Sequence, residues 1–342
     1  MNISTHPDII GLANSLELYE GDPVESIRQY CREKVRTIVY GVGSVINIDQ
    51  FEDRICESLK LEVHRVWSDE EVNRVAKSYV DEGEFIFAAL SQQLSPDAFG
   101  IFIMLDKPNE NGCPWVAVID CRGEKQYRRH WTLWHEIAHC LTAVKELQLP
   151  LRRTTVEVKV KEPIEVLTDY LAKDLAFYGP IFDPILGMEL QKNEGLLSFS
   201  VVENVRRKFS DEASLTSTLI TCMERCKHPC LILEAGEGFN KKEKAQRKAG
   251  NQEVKPSLRV VRAFGNDLMD RYSIYIPKNY RVPKTSLIYN VFHRPSKALR
   301  KGAIENLELW TDSRGGSLDH LKVKVEARKL GGTFYAILIP VE

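Results

Sequence analysis

The chain has 342 residues, 43% hydrophobic and 28% charged, with a formal net charge of −1. That length admits two or three domains, the composition is that of a globular protein, and the near-balance of charge excludes a whole-chain electrostatic case for nucleic acid or membrane. Eight cysteines scattered along so long a chain point to reduced thiols rather than a disulfide framework.

The start, MNISTHPDIIGLANSLELYEGD, lacks a basic region followed by an apolar run, so no signal peptide is expected. No window reaches the roughly eighteen apolar residues of a membrane span. A cytoplasmic protein with no membrane association is the expectation. Residues 15–38 read as helix. The stretch 45–68, VINIDQFEDRICESLKLEVHRVWS, reads as a helix capped by Asp49 and followed by a short strand. FGIFIMLD (99–106) and PWVAVID (114–120) are apolar runs of strand length around KPNENGC, whose Asn-Gly pair predicts a hairpin.

A helix is predicted from about Gln126 to His130 onward, through RRHWTLWHEIAHCL (128–141). A second, PIEVLTDYLAKDLAFYGP (163–180), opens on Pro163 and stops before Gly179-Pro180. Residues 195–235 read as helical again. GEGFNKKEKAQRKAGNQEVKPS (236–257) is polar and basic and reads as a linker. Beyond it RYSIYIP, SLIYNVF, LKVKVEARK and GTFYAILIPV have the texture of strands. The expected class is α+β, with a domain over 1–192, a helical connector over 193–235, the linker over 236–257 and a β-rich accessory domain over 258–342.

The chemistry concentrates in the first of these helices. His135 and His139 lie one turn apart on one face and can share a metal ion. At about 100° per residue, His135, His139, Thr132 and Glu136 form one polar stripe. Cys140, Leu133, Ile137, Leu141, Trp134 and Ala138 fill the rest of the circumference. A polar stripe on an apolar, buried helix requires partners, because an unpaired buried polar group costs a few kcal/mol, roughly. Zn2+ suits two imidazoles and a carboxylate at an open site, and it acidifies a bound water. Glu136 is then the candidate general base for hydrolysis of a peptide bond.

The longer pattern with glycine and a third histidine is excluded, since Thr142 and Lys145 stand at those places. A glutamate on the second helix is the other common solution. Glu165 is the favoured ligand, Glu162 its rival on the same arc, and Glu146 and Glu157 are worse placed. Asp169, one turn beyond Glu165, is a candidate to orient a ligating histidine.

RRHWTLWHEIAHCL followed by IEVLTDYLAKDLAFYGP resembles the ImmA/IrrE metallopeptidases. Thr132, Leu133, His135, Glu136, Ile137, Ala138 and His139 match the first part of that family's signature, and Glu165, Ala172 and Leu175 match the second. The resemblance is specific over about 45–200. The β-rich tail is similar to the GAF-like C-terminal domain of the radiation-response members. The chain departs from the pattern at His130, Trp131 and Trp134, and at Thr168-Asp169, where Ala-Asn is usual. The resemblance implies a zincin-like endopeptidase, with zinc on His135, His139 and Glu165 and a helix-turn-helix transcriptional repressor as its protein substrate.

Other features carry competing readings. Val116–Asp120 is either an edge strand that a substrate peptide could join or a plain core strand. Cys222, Cys226, Cys230 and His228 have tempting metal spacing, yet thiols at helical intervals read better as core, and so does Cys140. In NVRRKFSDEASLTSTLITCMERCK, Arg206, Arg207 and Lys208 as phosphate contacts and Ser214–Ile220 as a reading helix make a DNA-binding alternative to a packing module. The linker's Lys241, Lys242, Lys244, Arg247, Lys248 and Lys255 fit a solvated tether before they fit nucleic acid. The tail fits either a ligand sensor or a plain structural domain. Tyr178, His130 and His228 are candidates to stabilise an oxyanion. The alternative function is a DNA-bound or protein-binding regulator with an inactive peptidase fold.

Overall fold

Pro23 and Asp22 decide how the chain begins. The residue before a proline is pushed to extended backbone, and Asp22 is extended, with its carboxylate accepting from the Glu25 amide. The single helix expected over 15–38 is therefore two, α1 (Pro7–Ser15) and α2 (Pro23–Val39), separated by a turn in which Glu17 and Gly21 take positive φ. The next helix, α3 (Ile48–Leu59), is capped by Asn47 and not by Asp49: the Asn47 and Gln50 side chains each accept from the other's backbone amide.

The computed structural model describes residues 3–40, 47–94, 97–143, 162–272, 275–294, 303–311, 316–330 and 332–341, together with the backbone of 151–154. Glu146 and Glu157 lie outside these residues. The chain is mixed α+β with two sheets. It divides into two units, one of residues 1–182 and 209–214, the other of 183–208 and 215–342. Among the described residues no helix is long and apolar enough to cross a membrane.

The first unit continues through β1 (Leu61–Val66), α4 (Asp69–Asp81), α5 (Leu90–Gln93), β2 (Ala98–Met104), β3 (Trp115–Asp120), α6 (Arg129–Thr142), β4 (Leu151–Thr154) and α7 (Pro163–Ala176). Its sheet runs β1-β3-β2-β4. β1 and β3 are parallel; the β2–β3 hairpin and the β2–β4 pair are antiparallel. One sheet face buries Ile101, Ile103, Val116 and Val118 with Val72, Tyr79, Phe87 and Leu90 from α4, α5 and the turn between them. Side chains alternate along a strand, so Gly100, Phe102, Ala117 and Ile119 face the other way, where α6 lies and α7 packs beside it. Of the two readings of 116–120, an edge strand or a plain core strand, the second holds: it sits inside the sheet between β1 and β2 with both hydrogen-bonding sides taken. Among the described residues β1 and β4 are the end strands.

α8 (Gly179–Gln191) leads into the second unit, followed by α9 (Phe199–Phe209), α10 (Leu215–Arg225), β5 (Leu231–Gly238), α11 (Lys241–Lys248), β6 (Ser257–Gly265), α12 (Leu287–His293), β7 (Ala303–Asn306), β8 (Lys322–Leu330) and β9 (Thr333–Pro340). The sheet order is β6-β5-β9-β8-β7, antiparallel throughout. Leu233, Ala235, Val325, Ala327, Ala336 and Leu338 bury one face against Leu287, Ile288 and Val291 of α12. On the other face the Glu326 carboxylate accepts from the Phe199 amide and Arg328 pairs with Glu203.

Four expectations change here. The helical reading of 195–235 holds for α9 and α10 but ends in a strand, β5. The stretch 236–257 is more than a linker: it carries α11, closed by a reciprocal Asn240–Glu243 cap, and Glu243 pairs with the buried Arg259 at 2.8 Å. SLIYNVF forms the helix α12, because Ser286 caps it by accepting from the Ile288 amide and Leu287, Ile288 and Val291 share one helical face. RYSIYIP is not a strand in its described part: Asp267–Tyr272 is a 3-10 turn, and residues 273 and 274 lie outside the described residues.

Candidate metal centre

The entry to α6 is fixed by a buried acid. At the end of β3, the Asp120 carboxylate accepts from Arg122 Nε at 2.8 Å, from Arg122 Nη2 at 2.7 Å and from Lys125 Nζ at 2.5 Å. Arg122 also donates to the Leu94 carbonyl and Lys125 to the Ala98 carbonyl. Burial alone would raise the Asp120 pKa, but the Arg122 and Lys125 hydrogen bonds outweigh it and hold the carboxyl below its usual range. A 3-10 turn over Gly123–Arg128 then delivers the chain into α6.

α6 is buried nearly all round: His135 is 1% exposed, Glu136 0% and His139 2%. α7 supplies what these three face. Its first turn, opened by Pro163, carries Glu165. Glu165 Oε2 lies 3.2 Å from His135 Nε2, Glu165 Oε1 lies 3.3 Å from His139 Nε2, and the two Nε2 atoms are 3.1 Å apart. The donor atoms of His135, His139 and Glu165 all fall within 4.8 Å of one another, and this group can hold a metal ion. Two imidazole nitrogens and one carboxylate, with the rest of the coordination sphere left to solvent and substrate, are a donor set that zinc accepts. Burial pushes the His139 pKa down and would push that of Glu165 up; the hydrogen bonds to both histidines instead hold Glu165 well below the usual carboxylate range. An anionic carboxylate and a neutral imidazole are the forms that ligate.

Behind this trio, α7 also meets the far nitrogens of both rings. Asp169 Oδ1 is 3.3 Å from His135 Nδ1, and Thr168 Oγ1 is 3.4 Å from His139 Nδ1. Phe102 of β2 lies against the His139 ring at 6.3 Å between centroids. Glu136 faces the sheet at Gly100. A Cβ added there would lie 2.9 Å from Glu136 Oε1 and 2.6 Å from Thr132 Cγ2. Only a glycine lets the strand approach this closely.

The remaining candidates separate from the centre. Glu162 is exposed at the N-cap position of α7. His130 Nε2 contacts the Ala176 carbonyl at 2.9 Å, and burial takes its pKa down to about 4. Tyr178 stacks on Phe51 at 4.4 Å between centroids, and His228 belongs to the second unit. Cys140 is buried, and burial pushes its thiol up. Cys222, Cys226 and Cys230 are buried too, and among the described residues they form no metal-holding group. In the candidate reading helix, Thr218 and Leu219 are fully buried. The sequence assigns no role to Gly100, Thr168 or the Asp120 cluster; a lone glycine inside an apolar strand run and the Thr168 departure from the family pattern are the signals it offers.

No protein-family model matches the chain, and no curated protein is significantly similar to it.

Proposed function

We propose that the chain is a zinc-dependent endopeptidase of zincin-like architecture, related to the ImmA/IrrE metallopeptidases that its motifs resemble. Its working place is the cytoplasm and its substrate a helix-turn-helix transcriptional repressor. The observation that carries the reading is the convergence of His135, His139 and Glu165 donor atoms within 4.8 Å, with the buried acid Glu136 following the first ligand on the same helix.

His135, His139 and Glu165 would hold the ion. Bound there, zinc would polarise the scissile carbonyl and acidify a water molecule. Glu136 takes the proton from the attacking water and delivers it to the departing amine. Gly100 gives the Glu136 side chain its room beside β2. The apolar walls of α6 exclude bulk water from the two histidines and the base. A substrate backbone would add at β4, the end strand beside β2 on which α6 packs, since β3 has no open side.

The test is incubation of purified repressors of the helix-turn-helix class with native protein, with the Glu136→Gln variant and with chelator-treated protein. Cleavage by the native protein only, restored by added zinc, is the expected result. A full set of intact repressors in the zinc-loaded native lane would overturn the substrate assignment.

A further inference from the structure

Thr168 stands where it can decide which nitrogen of His139 carries the proton. Its hydroxyl donates to the Ile164 carbonyl at 2.9 Å, the back-bond to the preceding turn that threonine makes inside helices. A hydroxyl has one proton. With that proton committed to Ile164, Thr168 Oγ1 can only accept from His139 Nδ1, 3.4 Å away. His139 then bears its hydrogen on Nδ1 and presents a bare lone pair at Nε2. Asp169, the next residue of α7, places its Oδ1 3.3 Å from His135 Nδ1, a negative charge that favours the same tautomer there. In these tautomers both Nε2 lone pairs and the Glu165 carboxylate converge over distances of 3.1 to 3.3 Å. A metal ion bound among them takes the place of the proton they would otherwise share.

We propose that Thr168 is a positioning residue of the metal centre: its hydroxyl fixes His139 in the metal-binding tautomer and ring orientation, as Asp169 does for His135. Thr168 is 1% exposed, so water does not compete for the hydroxyl. The pairing is asymmetric. An anionic acceptor raises the basicity of His135, while a neutral one leaves His139 the weaker and more easily released ligand. The proposal rests on the metal-centre reading given above.

Two measurements on the full-length protein test it. In metal-free protein at alkaline pH, the 15N shifts of the histidine side chains report the tautomer directly, whether or not any ion binds. Native protein and Thr168→Ser are expected to show His139 as the Nδ1–H form. Thr168→Val, which keeps the shape and removes the acceptor, is expected to show a mixture or the Nε2–H form. In the second measurement, zinc affinity is read by competition with a chromophoric chelator. Thr168→Val is expected to bind about tenfold or more weakly than native, with Thr168→Ser close to native. An unchanged His139 tautomer in Thr168→Val overturns the proposal, and so does an unchanged zinc affinity in a protein that binds zinc. A native protein that binds no zinc, yet shows the tautomer shift in Thr168→Val, overturns the metal-centre reading and leaves the hydrogen-bond assignment standing.

Discussion

Two residues of the candidate centre invite single substitutions with opposite logic. Glu136→Gln keeps the volume and removes the proposed base. Peptide-bond cleavage should fall by about 10²–10⁴-fold, while zinc content, measured by atomic absorption, stays at the native level because the ligands are untouched. Loss of zinc together with activity would instead make Glu136 a structural acid. Gly100→Ala adds one carbon where Thr132 and Glu136 already fill the space. Overpacking of this kind costs about 1–3 kcal/mol. A lowered denaturation midpoint together with lost cleavage is expected; a midpoint equal to native would show that the strand yields without cost. These residues were not equally legible. His135, Glu136 and His139 announce themselves because a helix turns local spacing into spatial proximity. Gly100 and Thr168 act across elements distant in sequence, and their types are common in strands and helices alike.

Each element was legible in proportion to how local its determinants are. α7 carries its start signal, Pro163, within itself, and the β2–β3 hairpin carries Asn-Gly. α12 does not: LIYNVF suits a strand as well as a helix, and the decision lies with the Ser286 cap and the core that receives Leu287, Ile288 and Val291. The joint between α6 and α7 supplies a pH dependence. His130, packed against Phe177 and Phe209, is kept neutral by burial until about pH 4, against an ordinary value of 6.5. Below pH 6.5 the unfolded chain therefore takes up a proton that the native state refuses. The stability His130 contributes is complete above that pH and is lost as pH falls toward 4. The loss is about 3 kcal/mol by the linkage relation. Urea melts across this range should show native protein losing more stability than His130→Gln, and parallel curves would refute the assignment. At the same end of α6, Asp120→Asn removes the buried charge with which the half-buried Arg122 and Lys125 pair. Breaking such a pair costs about 3–5 kcal/mol, readable as a lower urea midpoint.

For the molecule as a whole, a bound ion should act as a ligand of the native state. Zinc at a thousandfold excess over its dissociation constant adds about 4 kcal/mol to the stability of the unit that holds it. Calorimetry with and without chelator should show that gain, and its absence in His135→Ala would place the ion at α6. The second unit has a sheet whose assembly order runs against the chain. β5 occupies an inner position, between β6 and β9, although every other strand of that sheet follows it in sequence. A fragment ending anywhere in 236–257 would therefore carry β5 with both flanks bare. Leu231, Ile232 and Leu233 would form an apolar ribbon with open backbone on each side, the kind of segment that templates aggregation. Proteolytic nicking or premature termination in that basic stretch should yield an insoluble product rather than a free-standing N-terminal fragment.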